Sequence, residues 1–129
     1  MRRGLILISA LIVGGGAIFA LQPKRWPDSW VQAWLLRQTP PGTDARTVVR
    51  FLERRGWLDD TYSAPGGFVK DRPGTPYTIV GARSVRAVLG DYRGPDGLFV
   101  FVTSTEAFYG FDNQGHLLEV WVRKTTDAL

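Results

Sequence analysis

Apolar positions along this chain occur in three regimes: an unbroken run, then a helical spacing, then alternation. Each regime predicts a different element. After Met1, Arg2 and Arg3 comes Gly4 to Leu21, reading GLILISALIVGGGAIFAL, without a charge. Wound as a helix, about 18 residues extend about 27 Å, against a hydrocarbon core of ~30 Å. The run is therefore expected to enter a membrane. The same stretch has the parts of a cleavable secretory signal: two arginines, an apolar centre from Leu5 to Val13, and small residues ahead of cleavage after Ala17 or Ala20. Gly14, Gly15 and Gly16 favour the signal, since each costs roughly 1 kcal/mol of helix propensity in water, while glycine is commoner in membrane helices. Residues 1–21 are thus a signal anchor or a signal peptide. Either places the rest of the chain outside the cytoplasm, on a bacterial-type inner membrane facing the periplasm or released into it.

Residues 22–42 read as a linker with a short tryptophan-rich helix. Trp26, Trp30 and Trp34 recur every four residues with Val31 and Leu35 beside them, so a helix from Asp28 to Arg37 lines them along one stripe. Asp28 is placed to cap it. The stripe suits either the headgroup level of a membrane or the domain's own sheet, and the apolar area of three indoles favours the sheet. Pro40-Pro41-Gly42 ends this element. A second helix follows, with Thr43 as N-cap, Asp44 at the positive end of the dipole, and Val48, Val49, Phe51 and Leu52 as its apolar face. Arg46, Arg50 and Arg54 fall on another face, which reads as solvated. Arg55 and Gly56 close the helix, and Trp57 is placed to fold back on Leu52.

Leu58 to Arg83 is loop-like, punctuated by Pro65-Gly66-Gly67 and Arg72-Pro73-Gly74-Thr75-Pro76, with a short strand expected around Tyr77, Ile79 and Val80. Asp59, Asp60 and Asp71 match no calcium-loop spacing. Strands then dominate. Ser84 to Tyr92 alternates, with Val85, Ala87 and Leu89 on one side and Arg86, Val88 and Tyr92 on the other. Leu98 to Thr103 and Thr105 to Asp112 follow, Asp112-Asn113-Gln114-Gly115 makes a hairpin turn, and Leu118, Val120 and Val122 face inward along the last strand. The fold class is α+β: an N-terminal membrane helix, then one or two helices packed on a three- to four-stranded antiparallel meander, with residues 43–129 as the domain. The sheet face opposite the helices collects Tyr92, Phe99 or Phe101, Phe108 and Trp121, more aromatic than a solvated face should be. Self-coverage by a loop or helix is the commoner outcome for such a face. Left uncovered, Tyr92, Phe99, Phe108 and Trp121 are the candidate partner-binding residues.

Composition narrows the chemistry. With no cysteine, thiol catalysis, Cys-ligated zinc, iron–sulfur clusters and an acylated-cysteine anchor are excluded. The single histidine, His116, follows a turn, so a three-histidine zinc site is impossible and a serine triad lacks marked partners. A two-carboxylate hydrolase would have to draw on Glu106 with Asp112 or Asp91. No phosphate loop or dinucleotide fingerprint occurs, and no cofactor is expected. The net charge of +4 falls to +2 without Arg2 and Arg3, and no basic-aromatic motif points to nucleic acid.

Gly42-Thr43 with Val48, Leu52 and Gly56, followed by Phe111-Asp112-x-x-Gly115-x-Leu117-Leu118-x-Val120, resembles the small outer-membrane assembly lipoproteins of the SmpA/OmlA type. The chain departs from them in having no lipobox cysteine and in carrying the Leu58 to Arg83 insert. The resemblance implies two helices followed by a short antiparallel sheet, in an envelope protein that works through its surface. The expected function is a non-enzymatic, membrane-anchored extracytoplasmic protein acting through a protein partner in the envelope, with the membrane engaged through Gly4 to Leu21. The alternative is a small secreted hydrolase or ligand-binding domain using the 58–83 loop.

Overall fold

The computed structural model describes residues 22–62, 65–93 and 101–128. The apolar run Gly4 to Leu21 and the candidate contact residue Phe99 lie outside them. Among the described residues, no helix is long and apolar enough to cross a membrane.

A single 3₁₀ turn, Pro23–Arg25, leads into helix α1, Asp28–Gln38. Pro27 rather than Asp28 occupies the N-cap, its carbonyl accepting from the amides of Trp30 and Val31 at 3.0 and 3.1 Å. Asp28 is instead drawn away by Lys124, whose Nζ donates to its Oδ1 at 2.5 Å. Helix α2, Ala45–Arg55, starts one residue later than the threonine cap predicts: Asp44 is the N-cap, and the Thr43 hydroxyl turns back to Pro40 O. Its far end follows the expected local chemistry. Gly56 takes φ +70°, its amide donates to Glu53 O at 3.0 Å, and the Trp57 amide donates to Leu52 O at 2.9 Å, the paired bonds of a Schellman cap.

Strands β3 (Arg83–Arg93), β4 (Phe101–Phe111) and β5 (Leu117–Ala128) form an antiparallel meander in that order. Both helices lie on one of its faces. Val31 and Leu35 from α1 and Val48 and Leu52 from α2 meet Ala87, Leu89, Ala107, Tyr109, Phe111, Leu117, Val120 and Val122, all buried. The architecture is thus α+β, two helices packed against antiparallel sheets of three and two strands. The smaller sheet is a hairpin of β1 (Phe68–Lys70) and β2 (Thr78–Val80), of which only the second strand was expected.

Two irregularities shift the alternation along the meander. Between Val88 and Gly90 the register slips by one residue, so that Gly90 pairs with Thr105 and Tyr92 with Thr103. One inserted residue exchanges the faces of everything beyond it. Near the start of β5 the register passes from Gly110 opposite Glu119 to Phe111 opposite Leu117, so Leu118 is the extra residue. Leu117 consequently takes the core position expected for Leu118, which is half-exposed.

The segment 22–42 is part of the fold rather than a linker before it. Val31 and Leu35 are fully buried, and the turn ahead of α1 is fastened to the sheet. Thr105 Oγ1 donates to Lys24 O at 2.6 Å, Lys24 Nζ to Asp91 O at 2.9 Å, and Lys124 Nζ to Trp26 O at 2.5 Å. The predicted tryptophan stripe divides: Trp26 and Trp34 join an aromatic cluster with Phe51 and Trp57 between the helices, while Trp30 is 65% exposed.

Candidate functional site

The sheet face away from the helices carries Arg86 from β3, Glu106 and Phe108 from β4, and Trp121, Glu119 and Arg123 from β5, a consequence of their paired registers. Phe108 and Trp121 were predicted to share this face, and they do, with ring centroids 5.8 Å apart. They are not open to a partner. Phe68 of β1 stacks on Trp121 at 6.1 Å with planes 10° apart and tilts over Phe108 at 5.8 Å, and Tyr62 meets Phe108 edge-on at 5.9 Å. Phe108 and Trp121 are left 7% and 9% exposed. A partner would have to displace the hairpin to reach them, which corrects their expected role as direct contacts. Tyr92 is corrected too: the slip at Leu89 turns it to the helix side, where the Arg25 guanidinium sits 5.2 Å above its ring. Phe101, likewise offered for this face, shares the other one.

The hairpin is seated by shape as well as by stacking. A methyl group at Gly110 would lie 2.9 Å from Val80 Cγ1 and 3.0 Å from Phe68 Cε1, so β4 admits the hairpin only through this glycine. The Ala82 amide donates to Phe111 O at 2.7 Å, and Lys70 Nζ meets Glu119 Oε1 at 2.5 Å. With Phe68 and Val80 turned inward, their strand neighbours must point out. Val69 and Ile79, paired across the hairpin, are 52% and 64% exposed, and Tyr77 is exposed beside them. Sequence reasoning missed these outward residues because the three residues of β1 show no period. The available signal was two short β-branched and aromatic segments flanking Arg72-Pro73-Gly74-Thr75, a turn in which the Thr75 amide bonds to Arg72 O at 3.2 Å.

Beside the aromatic stack lies an ion network around the buried Glu106. Its Oε2 accepts from Arg86 Nε at 2.9 Å and lies 3.7 Å from Arg123, and its Oε1 accepts from Thr125 Oγ1 at 3.2 Å. Arg86 also donates to Asp59. Asp59 is held below the ordinary carboxylate value, first by the Thr61 hydroxyl at 2.6 Å and further by Arg86. Arg86 is held above its own ordinary value, first by Glu106. Arg123 spreads over Phe108 and Trp121, 5.1 and 5.6 Å from their centroids, with its Nε buried and unpartnered. Asp59 and Arg86 thus favour each other's charged forms, and Glu106 joins the same network through Arg86.

The remaining candidates for chemistry are not brought together. Asp91 accepts from Ser104 Oγ at 2.6 Å. Asp112 serves the turn, taking the amides of Gln114 and His116 at 2.9 and 2.8 Å. These bonds, that to His116 foremost, hold its carboxyl below the usual range. His116 is half-exposed, its Nδ1 3.6 Å from Asp112. A cleft of about 570 Å³ opens between the start of α2 and the 58–83 segment, lined by Tyr62, Pro65, Arg83, Ser84, Val85 and Phe111 among others. Across it the Tyr62 hydroxyl and Ser84 Oγ are hydrogen-bonded at 3.0 Å. Among the described residues no group of three acidic or histidine side chains could hold a metal ion. No family model matches the chain, and neither a curated protein nor a solved structure matches it.

Proposed function

We propose that the protein is a non-enzymatic, membrane-tethered extracytoplasmic protein of the cell envelope that acts by contacting another protein through the outer surface of the β1–β2 hairpin. The observation that carries this reading is the pairing of two faces on one small element. Its inner face is clamped to the sheet by Phe68, Lys70 and Val80, while its outer face leaves Val69, Ile79 and Tyr77 in water. Adjacent exposed apolar side chains on a firmly seated strand pair are a surface that gains from being covered. The tether rests on Gly4 to Leu21, and its cleavage after Ala17 or Ala20 would leave the same domain free in the periplasm.

Fractionation and intact mass of the expressed chain test the address, because an anchor keeps its full mass in the membrane and a signal loses its first residues. A photo-crosslinking residue in place of Ile79 tests the contact in the intact envelope. It should give a discrete adduct that Val69→Ser abolishes without lowering the melting temperature. A smear, or no adduct, overturns the contact while leaving the address standing.

The cleft supports a second reading, a ligand-binding domain built on the 58–83 segment. Arg83 with the Tyr62–Ser84 pair suits holding a polar group at the rim of an apolar wall. Among the described residues, those lining it include no carboxylate and no imidazole, so this reading is of binding rather than hydrolysis.

A further inference from the structure

The outward side of the helix layer combines three features that the proposed protein contact does not use. Both helices cover the same sheet face, so the stripes opposite their buried residues point the same way, out of the molecule. On α1, Val31 and Leu35 face the core, which turns Ser29, Trp30, Ala33 and Arg37 outward, all exposed. On α2, Val48 and Leu52 face the core, which turns Arg46, Arg50 and Arg54 outward at intervals of four. Arg37, Arg46, Arg50 and Arg54 form no ion pair among the described residues. Glu53 is the one acidic side chain on these two stripes. The layer therefore presents a net positive surface with a bare indole in it.

The third feature is where the chain enters. The apolar run ends at Leu21, and the fold begins at once: Pro23 is buried, and Lys24 and Trp26 are bonded through their carbonyls to Thr105 and Lys124 on the helix side of the sheet. Trp30 is nine residues beyond Leu21. No slack segment separates the end of the run from the layer that carries the tryptophan and the arginines.

Resting on the tether reading above, we infer that this helix layer docks flat on the anionic lipid surface the tether enters, with Trp30 at the headgroup level and the arginines over lipid phosphates. Indole at the interface and guanidinium over phosphate are the side chains that such a boundary favours. The occupant follows from the charge of the surface and from the point at which the chain leaves the bilayer. The hairpin, on the opposite side of the sheet, is then held away from the membrane and free for a protein.

The experiment uses the full chain reconstituted in vesicles of phosphatidylcholine alone and of phosphatidylcholine with about a third phosphatidylglycerol. Because the chain has no cysteine, a single environment-sensitive label can be placed at Ala33→Cys, with Thr78→Cys on the hairpin as the comparison. Docking predicts that the label at 33 shifts to the blue and is shielded from iodide only in the anionic vesicles, while the label at 78 stays quenched in both. Arg46→Gln, Arg50→Gln and Arg54→Gln should each lower the docked-to-free ratio about fivefold, about a hundredfold together. High salt should do the same to the unsubstituted chain, which keeps the test independent of how the variants fold. If the protein floats with both vesicles and the label at 33 is equally quenched in each, docking is overturned and the tether stands. If it floats with neither, the tether reading fails and docking with it.

Discussion

Glu106 shows how much one buried carboxylate can govern on a small sheet. It sits on the central strand with a guanidinium on either side, and its removal would leave Arg86 part-buried with Asp59 alone. Removing one member of a buried pair costs about 3 kcal/mol, whereas a partner that is itself largely solvated is worth about 1 kcal/mol or less. Urea unfolding should therefore find Glu106→Ala destabilised by about 3 kcal/mol, and Arg123→Ala, whose side chain is 43% exposed and 3.7 Å away, by markedly less. Equal losses would mean that Arg123 acts through its contact with Phe108 and Trp121 instead. Asp112 makes a prediction of a different kind. Its folded-state carboxyl is depressed by the turn amides, so its contribution is present above the ordinary value near 3.8 and is lost as the pH falls through the folded one. A series of melting temperatures against pH should fall on the acid side for the natural chain. Asp112→Asn should flatten that fall by lowering the neutral region, the two curves converging at acid pH. The opposite limb belongs to Tyr109. Its hydroxyl is sealed in the core without a hydrogen bond, the neighbouring Thr39 hydroxyl offsets only part of the effect, and burial pushes the phenol well above its usual 10. Stability is thus complete below that value and is lost as rising pH ionises the unfolded chain, a limb that Tyr109→Phe should remove.

At the scale of elements, legibility tracked how local the determining chemistry is. Helix α2 could be read almost to its ends because its last turn is decided by Arg55, Gly56 and Trp57, residues within reach of one another. The meander was legible where alternation holds, as in Ala87 or Val120 and Val122. It failed at Tyr92 and Leu118, where an extra residue reverses the faces. Neither slip is encoded by its neighbours. The first accommodates Lys24, whose Cδ would lie 2.9 Å from a methyl group on Gly90, and that contact joins positions far apart in sequence. Strand β1 was illegible for the same reason: three residues carry no periodicity, and Phe68 finds its direction only from Phe108 and Trp121. Gly110 tests this account of the hairpin. Gly110→Ala drives a methyl into Val80 and Phe68, so the hairpin must lift while the helix side of the sheet is untouched. Limited proteolysis should then cut within residues 65–82 well before α1 or α2, with a red shift of tryptophan emission as Trp121 is uncovered. A variant cut everywhere at once would show that the hairpin and meander fold as one unit.

For the molecule as a whole, the decisive boundary is the one between the apolar run and the fold. Reading residues 22–42 as a linker would let the domain stand without them. The structure instead uses this segment to close the core, with Val31 and Leu35 fully buried and Trp34 packed against Trp26, Phe51 and Trp57. Deleting a buried aliphatic side chain costs about 2–5 kcal/mol, so losing two is comparable with the ~5–15 kcal/mol that holds a small domain folded. A chain shortened to begin at Gln22 should therefore keep a cooperative urea transition and a structured near-ultraviolet circular dichroism spectrum. One shortened to begin at Pro40 should lose both and bind a hydrophobic dye. Cooperative unfolding of the Pro40 chain would instead make α1 an appendage and return the boundary to residue 43. Because the cleavage expected after Ala17 or Ala20 would fall ahead of every one of these contacts, the same fold would serve an anchored or a released protein. The proposed docking of its helix layer would then distinguish the two.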